Sequence, residues 1–191
     1  MEISLITDHK RIKFIYNTFM KRDFPGNELK PLASIIKMWK DNAYYCYEMT
    51  ENNNVTGYVF SVKQSRAGRV NYLIDYLAVS GEYRNQGFGS MLLSRISFLV
   101  KNAGCVIVEV EDPDYADDEE SELLRKRRIQ FYLRNGFSET GITARLFGVQ
   151  FRILELAGSV KHTKDEIKDI YESLYRYMVP GLMYKMNVKI F

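Results

Sequence analysis

Residues 76–93, YLAVSGEYRNQGFGSMLL, run from an apolar strand into a loop bearing Arg84, Gly87 and Gly89 and then directly into a helix. A helix that starts at once leaves its first backbone N–H groups without partners and puts the positive end of its dipole at the loop. Glycines let such amides approach an anion closely, because no Cβ stands in the way, and an arginine adds a charge-assisted contact. The stretch therefore reads as a phosphate cradle. A P-loop would need GxxxxGKS/T, and a dinucleotide site would need a third glycine and a downstream ribose-binding acid; neither pattern is present. A glycine-rich turn alone decides little, so the reading depends on what surrounds it.

Upstream, Ile12, Ile15, Tyr16 and Phe19 recur at helical spacing and predict a helix over 9–21. Pro31 followed by Leu32, Ile35, Ile36 and Trp39 predicts a second, to about residue 40. Strand-like runs at 43–49, 55–63 and 70–79 are punctuated by ENNN (51–54) and RAG (66–68), which predicts an antiparallel meander. Downstream, residues 87–102 carry an apolar stripe of Phe88, Leu92, Ile96, Leu99 and Val100, ended by Ala103-Gly104. The β-branched run 105–111 follows a helix and should lie parallel to the preceding strand. A helix over 123–135, strands at 142–148 and 150–157, and a final helix opened by a Thr163/Glu166 capping box complete the chain. The final helix carries a core stripe of Ile167, Ile170, Tyr171, Leu174, Tyr177 and Met178. The order α α β β β α β α β β α predicts a mixed sheet flanked by helices.

Composition agrees with a folded domain. The 191 residues are 46% hydrophobic and 27% charged, with 11 Phe, 14 Tyr and 4 Pro, which excludes a disordered chain. Two cysteines, Cys46 and Cys105, and two distant histidines, His9 and His162, make neither a disulfide framework nor a metal cluster, so no metal is expected. The start has no signal-peptide pattern, and no apolar run approaches the roughly 20 residues that span a bilayer, so a cytoplasmic protein with no membrane partner is expected. The net charge of +3 does not argue for nucleic acid, but it is unevenly placed: residues 111–122, EDPDYADDEESE, hold eight acids and no base.

A second motif lies at Phe131-Tyr132-Leu133-Arg134-Asn135-Gly136-Phe137. Together, Arg84-Asn85-Gln86-Gly87-Phe88-Gly89 resembles the Arg/Gln-x-x-Gly-x-Gly/Ala signature of the GNAT N-acetyltransferases, and 131–137 is similar to that family's FYxxxGF segment. The motifs occur in the family's order with strand 105–111 between them, and the element order over 1–157 agrees. The resemblance implies an α/β fold of the α+β kind: a mixed, mostly antiparallel twisted sheet flanked by helices, with a splayed central parallel strand pair. It implies one N-acetyltransferase domain over 1–191, with a core of about 1–157 and a C-terminal helical extension of about 158–191.

The resemblance also implies acetyl-CoA as co-substrate. Its pantetheine arm would pair with backbone around Leu77, Ala78 and Val79, and its pyrophosphate would meet Arg84, Asn85, Gln86, Gly87, Phe88, Gly89 and Ser90. A primary amine would attack the thioester directly. An alkyl ammonium titrates near about 10.4, so a proton must be removed at neutral pH, and the departing thiolate must gain one. Tyr132 aligns with the family's general acid; its bland alternative is an aromatic packed on the sheet. The base stays open among Asp75, in an otherwise apolar strand, Glu109 and Glu111, with a water relay as a further route. Asp75 paired with an arginine and glutamates solvated at a strand end are the structural alternatives. An interaction module that binds CoA without turnover is the other functional reading. The acceptor is not specified; the aromatic and methionine-rich extension would close its side or form a homodimer surface. RKRR at 125–128 reads as a helix face answering the acids, which themselves either balance it or draw in a cationic acceptor.

Overall fold

The structure, a computed structural model, describes residues 1–191 except 27, 67, 100, 101 and 159, and the backbone alone at 98 and 99. Contacts group the chain into two compact units, one formed by Met1–Lys63 with Asp75–Arg95 and the other by Gln64–Ile74 with Ile96–Phe191.

In the first unit, β1 (Glu2–Leu5) pairs antiparallel with β2 (Tyr44–Glu51), which pairs antiparallel with β3 (Asn54–Arg66). The expected hairpin at ENNN is formed: Asn52 and Asn53 both take positive φ, at 49° and 66°, as a tight two-residue turn requires and as asparagine tolerates. Helix α1 (His9–Ile15) is capped by Asp8, whose side chain accepts from Lys10 N. It runs on through a π-helical turn, Tyr16–Met20, into the short α2 (Lys21–Asp23), so the helix expected over 9–21 exists but is underwound in its second half. Helix α3 (Leu32–Lys40) follows Pro31 as expected. Ile12, Ile15, Ile35, Tyr44, Tyr58 and Phe60 are fully or almost fully buried in this unit's core. Strand β4 (Arg69–Val79) contributes its second half here, and helix α4 (Phe88–Leu99) its first part.

The second unit carries a parallel pairing. The first half of β4 lies beside β5 (Cys105–Glu111) through Tyr72↔Val106, Leu73↔Ile107 and Ile74↔Val108. β5 then pairs antiparallel with β7 (Val149–Ala157), β7 with β6 (Ser138–Leu146), and β6 with β8 (Val188–Ile190). The mixed, mostly antiparallel sheet with helices around it is the fold expected from the sequence. Helix α5 (Glu119–Arg134) begins earlier than expected, at the N-cap Asp118. Helix α6 (Lys164–Met178) opens with the full capping box, Thr163 N donating to Glu166 Oε2 at 2.8 Å and Glu166 N to Thr163 Oγ1 at 3.3 Å. A short α7 (Gly181–Asn187) leads to β8.

Three expectations need correction. Strands β1 and β8 and helix α7 were not anticipated; elements this short show no countable periodicity. Strand β6 starts at Ser138 rather than 142, with a register shift between Glu139 and Thr143 that breaks the alternation. On α6 the core face includes Tyr175 in place of Tyr177, which is 40% exposed. Of the α4 stripe, Leu92 and Ile96 are buried, whereas Val100 and the side chain of Leu99 lie outside the described residues.

Candidate active site

The loop after β4 belongs wholly to the first unit. A single 3₁₀ turn, Gly81–Tyr83, is followed by a segment exposed from Arg84 to Gly87. Asn85 and Gly87 take φ of 61° and 84°, the left-handed conformation that turns successive amides to one side. A Cβ built on Gly87 meets no atom within 4 Å, so the glycine answers to its backbone angle and leaves open space above the turn. Met91 N is bonded to Gly87 O at 3.0 Å, and Phe88, Gly89 and Ser90 supply the orphan amides of a helix start. Arg84 Nε donates to Val79 O at 3.1 Å, so this side chain braces the turn from beneath. Gln86 Nε2 donates to Glu82 O at 2.7 Å. The result is an exposed turn running into a helix start, an arrangement suited to an anion. Leu77, Ala78 and Val79 lead into it, and Gly57 lets β3 come close, since a Cβ there would stand 3.0 Å from Ala78 O.

Asp75 sits in the same unit and is fully engaged. Its Oδ1 accepts from Lys30 Nζ and its Oδ2 from Tyr44 OH, each at 2.5 Å. The partner is thus a lysine and not the arginine considered from sequence. Tyr76 OH accepts from Lys30 N at 2.8 Å and donates to Glu28 O at 2.9 Å, tying the segment before α3 to β4. Burial raises both phenols, Tyr44 and Tyr76, above the usual range, and the Asp75 charge adds to it.

Tyr132 and Glu109 lie in the second unit. Tyr132, on α5, is 9% exposed and packs edge-on against Phe131 and Phe137, at ring separations of 5.1 and 5.2 Å. Its hydroxyl has no hydrogen-bond partner among the described residues, and burial pushes its pKa up, so it holds its proton. Glu109, on β5, accepts a short hydrogen bond from Tyr171 OH of α6. Glu111 is bound by Arg125 at 3.3 Å and Arg128 at 2.8 Å.

Most of the acidic segment is occupied in the same way. Arg152 bridges Asp112 and Asp114, each at 2.8 Å. Asp118 caps α5 through Ser121 N at 2.7 Å, a bond that holds its carboxyl below the usual range. Glu122 pairs with Lys126 one helical turn on. The basic run at 125–128 is accordingly a helix face answering these acids.

The sequence pattern of the acetyltransferase (GNAT) domain matches residues 41–139, more than half of the chain and both motif segments. The chain belongs to the GNAT acetyltransferase family. Solved structures of similar fold include a protein of Bacteroides thetaiotaomicron described as a GNAT-family acetyltransferase, with a TM-score of 0.69 at 19% identity over 92% of this chain and 96% of that one. The ribosomal-protein-S18-alanine N-acetyltransferase of Escherichia coli gives 0.57 at 19% identity over 84% and 96%. An aminoglycoside 6'-N-acetyltransferase complexed with coenzyme A gives 0.60 at 13% identity over 85% and 99%. At these identities the likeness is one of fold. Among curated protein sequences none matches the chain. No helix among the described residues is long and apolar enough to cross a membrane.

Proposed function

We propose that this GNAT protein is an acetyl-CoA-dependent N-acetyltransferase that passes the acetyl group directly to a primary amine of a small molecule or peptide. The observation that carries the reading is the exposed turn 84–87, with positive φ at Asn85 and Gly87 and the start of α4 behind it. It fits the pyrophosphate of a CoA ester, and the backbone of Leu77 to Val79 offers hydrogen bonds to the pantetheine amides. The amine nitrogen attacks the thioester carbonyl, the C–N bond forms, the C–S bond breaks, and the thiolate takes a proton from Tyr132. A base takes the proton from nitrogen. Of the three carboxylates considered for that role we assign it to Glu109, which accepts from the Tyr171 hydroxyl, whereas Asp75 is bound by Lys30 and Tyr44 and Glu111 by two arginines. Cys46 and Cys105, both buried, take no part. The 191 residues act as one transferase domain with an extension from about 158, a reading supported by the extent of the Bacteroides protein's coverage.

Calorimetric titration with acetyl-CoA, followed by release of free CoA against a panel of polyamines, aminoglycosides, amino acids and peptides, tests this. Absence of binding at millimolar acetyl-CoA to folded protein overturns it. The engagement of both Asp75 and Glu109 favours one other reading, a CoA-binding module without turnover. That module would be stabilised by CoA and would acetylate no amine.

A further inference from the structure

Cys105, Glu155 and His162 lie apart in sequence and come together inside the second unit. In the β5/β7 ladder Cys105 stands opposite Ala157 and Ile107 opposite Glu155. With the two-residue period of a strand, Cys105 and Glu155 therefore share one face as diagonal neighbours. His162, from the segment that leads into α6, comes over the same place: its Nδ1 lies 2.8 Å from Glu155 Oε1. One ligand atom from each residue, a sulfur, a carboxylate oxygen and a ring nitrogen, lies within 4.8 Å of the other two. Cys105 is 0% exposed, and the side chains of Glu155 and His162 are each 9% exposed. Asn71 Oδ1 accepts from Cys105 N at 3.2 Å and stands 3.5 Å from its Sγ, which holds the thiol in place.

We propose that Cys105, Glu155 and His162 form a binding site for one divalent transition-metal ion, Zn²⁺ by the character of the donors, with water as fourth ligand. Sulfur, nitrogen and oxygen at bond lengths of about 2.0–2.3 Å around a tetrahedral ion are separated by about 3.3–3.6 Å. The imidazole nitrogen and the carboxylate oxygen, 2.8 Å apart, would open by about 0.5 Å as their hydrogen bond gives way to the ion, and the sulfur, within 4.8 Å of the other ligand atoms, would close by up to about 1.5 Å. Charge agrees with this. A thiolate, a carboxylate and a neutral imidazole carry −2, which a divalent cation cancels, and a buried charge is tolerated where it is so cancelled. Burial and the neighbouring Glu155 push the Cys105 thiol up to about 12, a balance that a bound cation reverses. The ion would tie the start of β5, the end of β7 and the approach to α6 together, and so stabilise the second unit.

The test uses the full chain, stripped of metal and without acyl donor or amine, so that its outcome is independent of the transferase reading. Titration with Zn²⁺ followed by calorimetry should give one ion per chain and a raised melting temperature. Titration with Co²⁺ should give a thiolate-to-cobalt charge-transfer band and tetrahedral d–d bands. Cys105→Ala should abolish the charge-transfer band, and His162→Gln and Glu155→Gln should each weaken binding by about tenfold or more. His162→Gln, in the segment between β7 and α6, keeps the test alive if Cys105→Ala fails to fold. Lack of saturable one-to-one binding, a cobalt spectrum without a thiolate band, or undiminished affinity in His162→Gln overturns the proposal.

Discussion

The loop after β4 and the loop after β5 make the same connection, strand to helix, by opposite means. The first presents bare backbone at a turn of left-handed residues, and its one arginine braces the turn from below. The second presents carboxylates, and Arg125, Arg128 and Arg152 engage three of them while the backbone at the start of α5 engages a fourth. Under the proposed function the first meets a ligand anion at the amides of its helix start. Much of the second is satisfied by the fold itself. Density of charge by itself therefore marks no site.

The strongest test of that contrast is Gly87→Val. A β-branched residue at φ +84° is strained by about 1–2 kcal/mol, and its side chain fills the space where an anion would approach. Acetyl-CoA affinity should fall by about a hundredfold or more in calorimetry, since backbone contacts to a phosphate are lost together. Binding within a few-fold of the parent would remove the turn from the site. Next in size, Tyr132→Phe should lower kcat by about 10²–10⁴-fold with the KM for acetyl-CoA little changed. Because the phenol's pKa is raised above its ordinary value of about 10, it stays protonated throughout the neutral range. The kcat–pH profile of the parent should therefore show no alkaline fall from this group below about pH 10, and such a fall lost in the Phe variant would contradict its placement.

The acidic loop is predicted to respond through stability. Arg152→Ala leaves Asp112, itself 6% exposed, without its cation, and should cost about 1–3 kcal/mol in a denaturant melt. An unchanged melt would mean that these pairs hold nothing together. The smallest effect belongs to Asp117, Glu119 and Glu120, which are exposed and not pinned by arginine. Their joint replacement by Asn and Gln, sparing the cap Asp118, should raise the KM for a cationic amine by less than about tenfold and flatten its dependence on salt. A KM that does not move would make the whole segment structural.

Both motifs were legible because each is local. The amide turn needs only Arg84 to Ser90, and the capping box needs only Thr163 and Glu166, two residues whose spacing is the interaction. The hairpin at Asn52–Asn53 was legible for the same reason. Short edge strands such as Glu2–Leu5 and Val188–Ile190 were not, since their pairing partners, not their own composition, make them strands. The partners of Asp75 were equally hidden: Lys30 and Tyr44 come from elements that only the sheet brings to it.

Cys105 and His162 show the same limit most sharply. Counted along the chain, two cysteines and two histidines exclude a metal cluster, and a carboxylate such as Glu155 attracts no notice. The antiparallel register of β5 and β7 sets sulfur beside carboxylate, and the turn into α6 adds the imidazole. Sequence by itself determined the family, the longer elements in their order and the glycine turn at the start of α4, all of which rest on residues a few positions apart. Tertiary structure decided which acids are engaged, which phenol keeps an unbonded proton, and which side chains distant in sequence come together. Such pairings depend on register and crossing, and register is a property of the assembled sheet and not of any one strand.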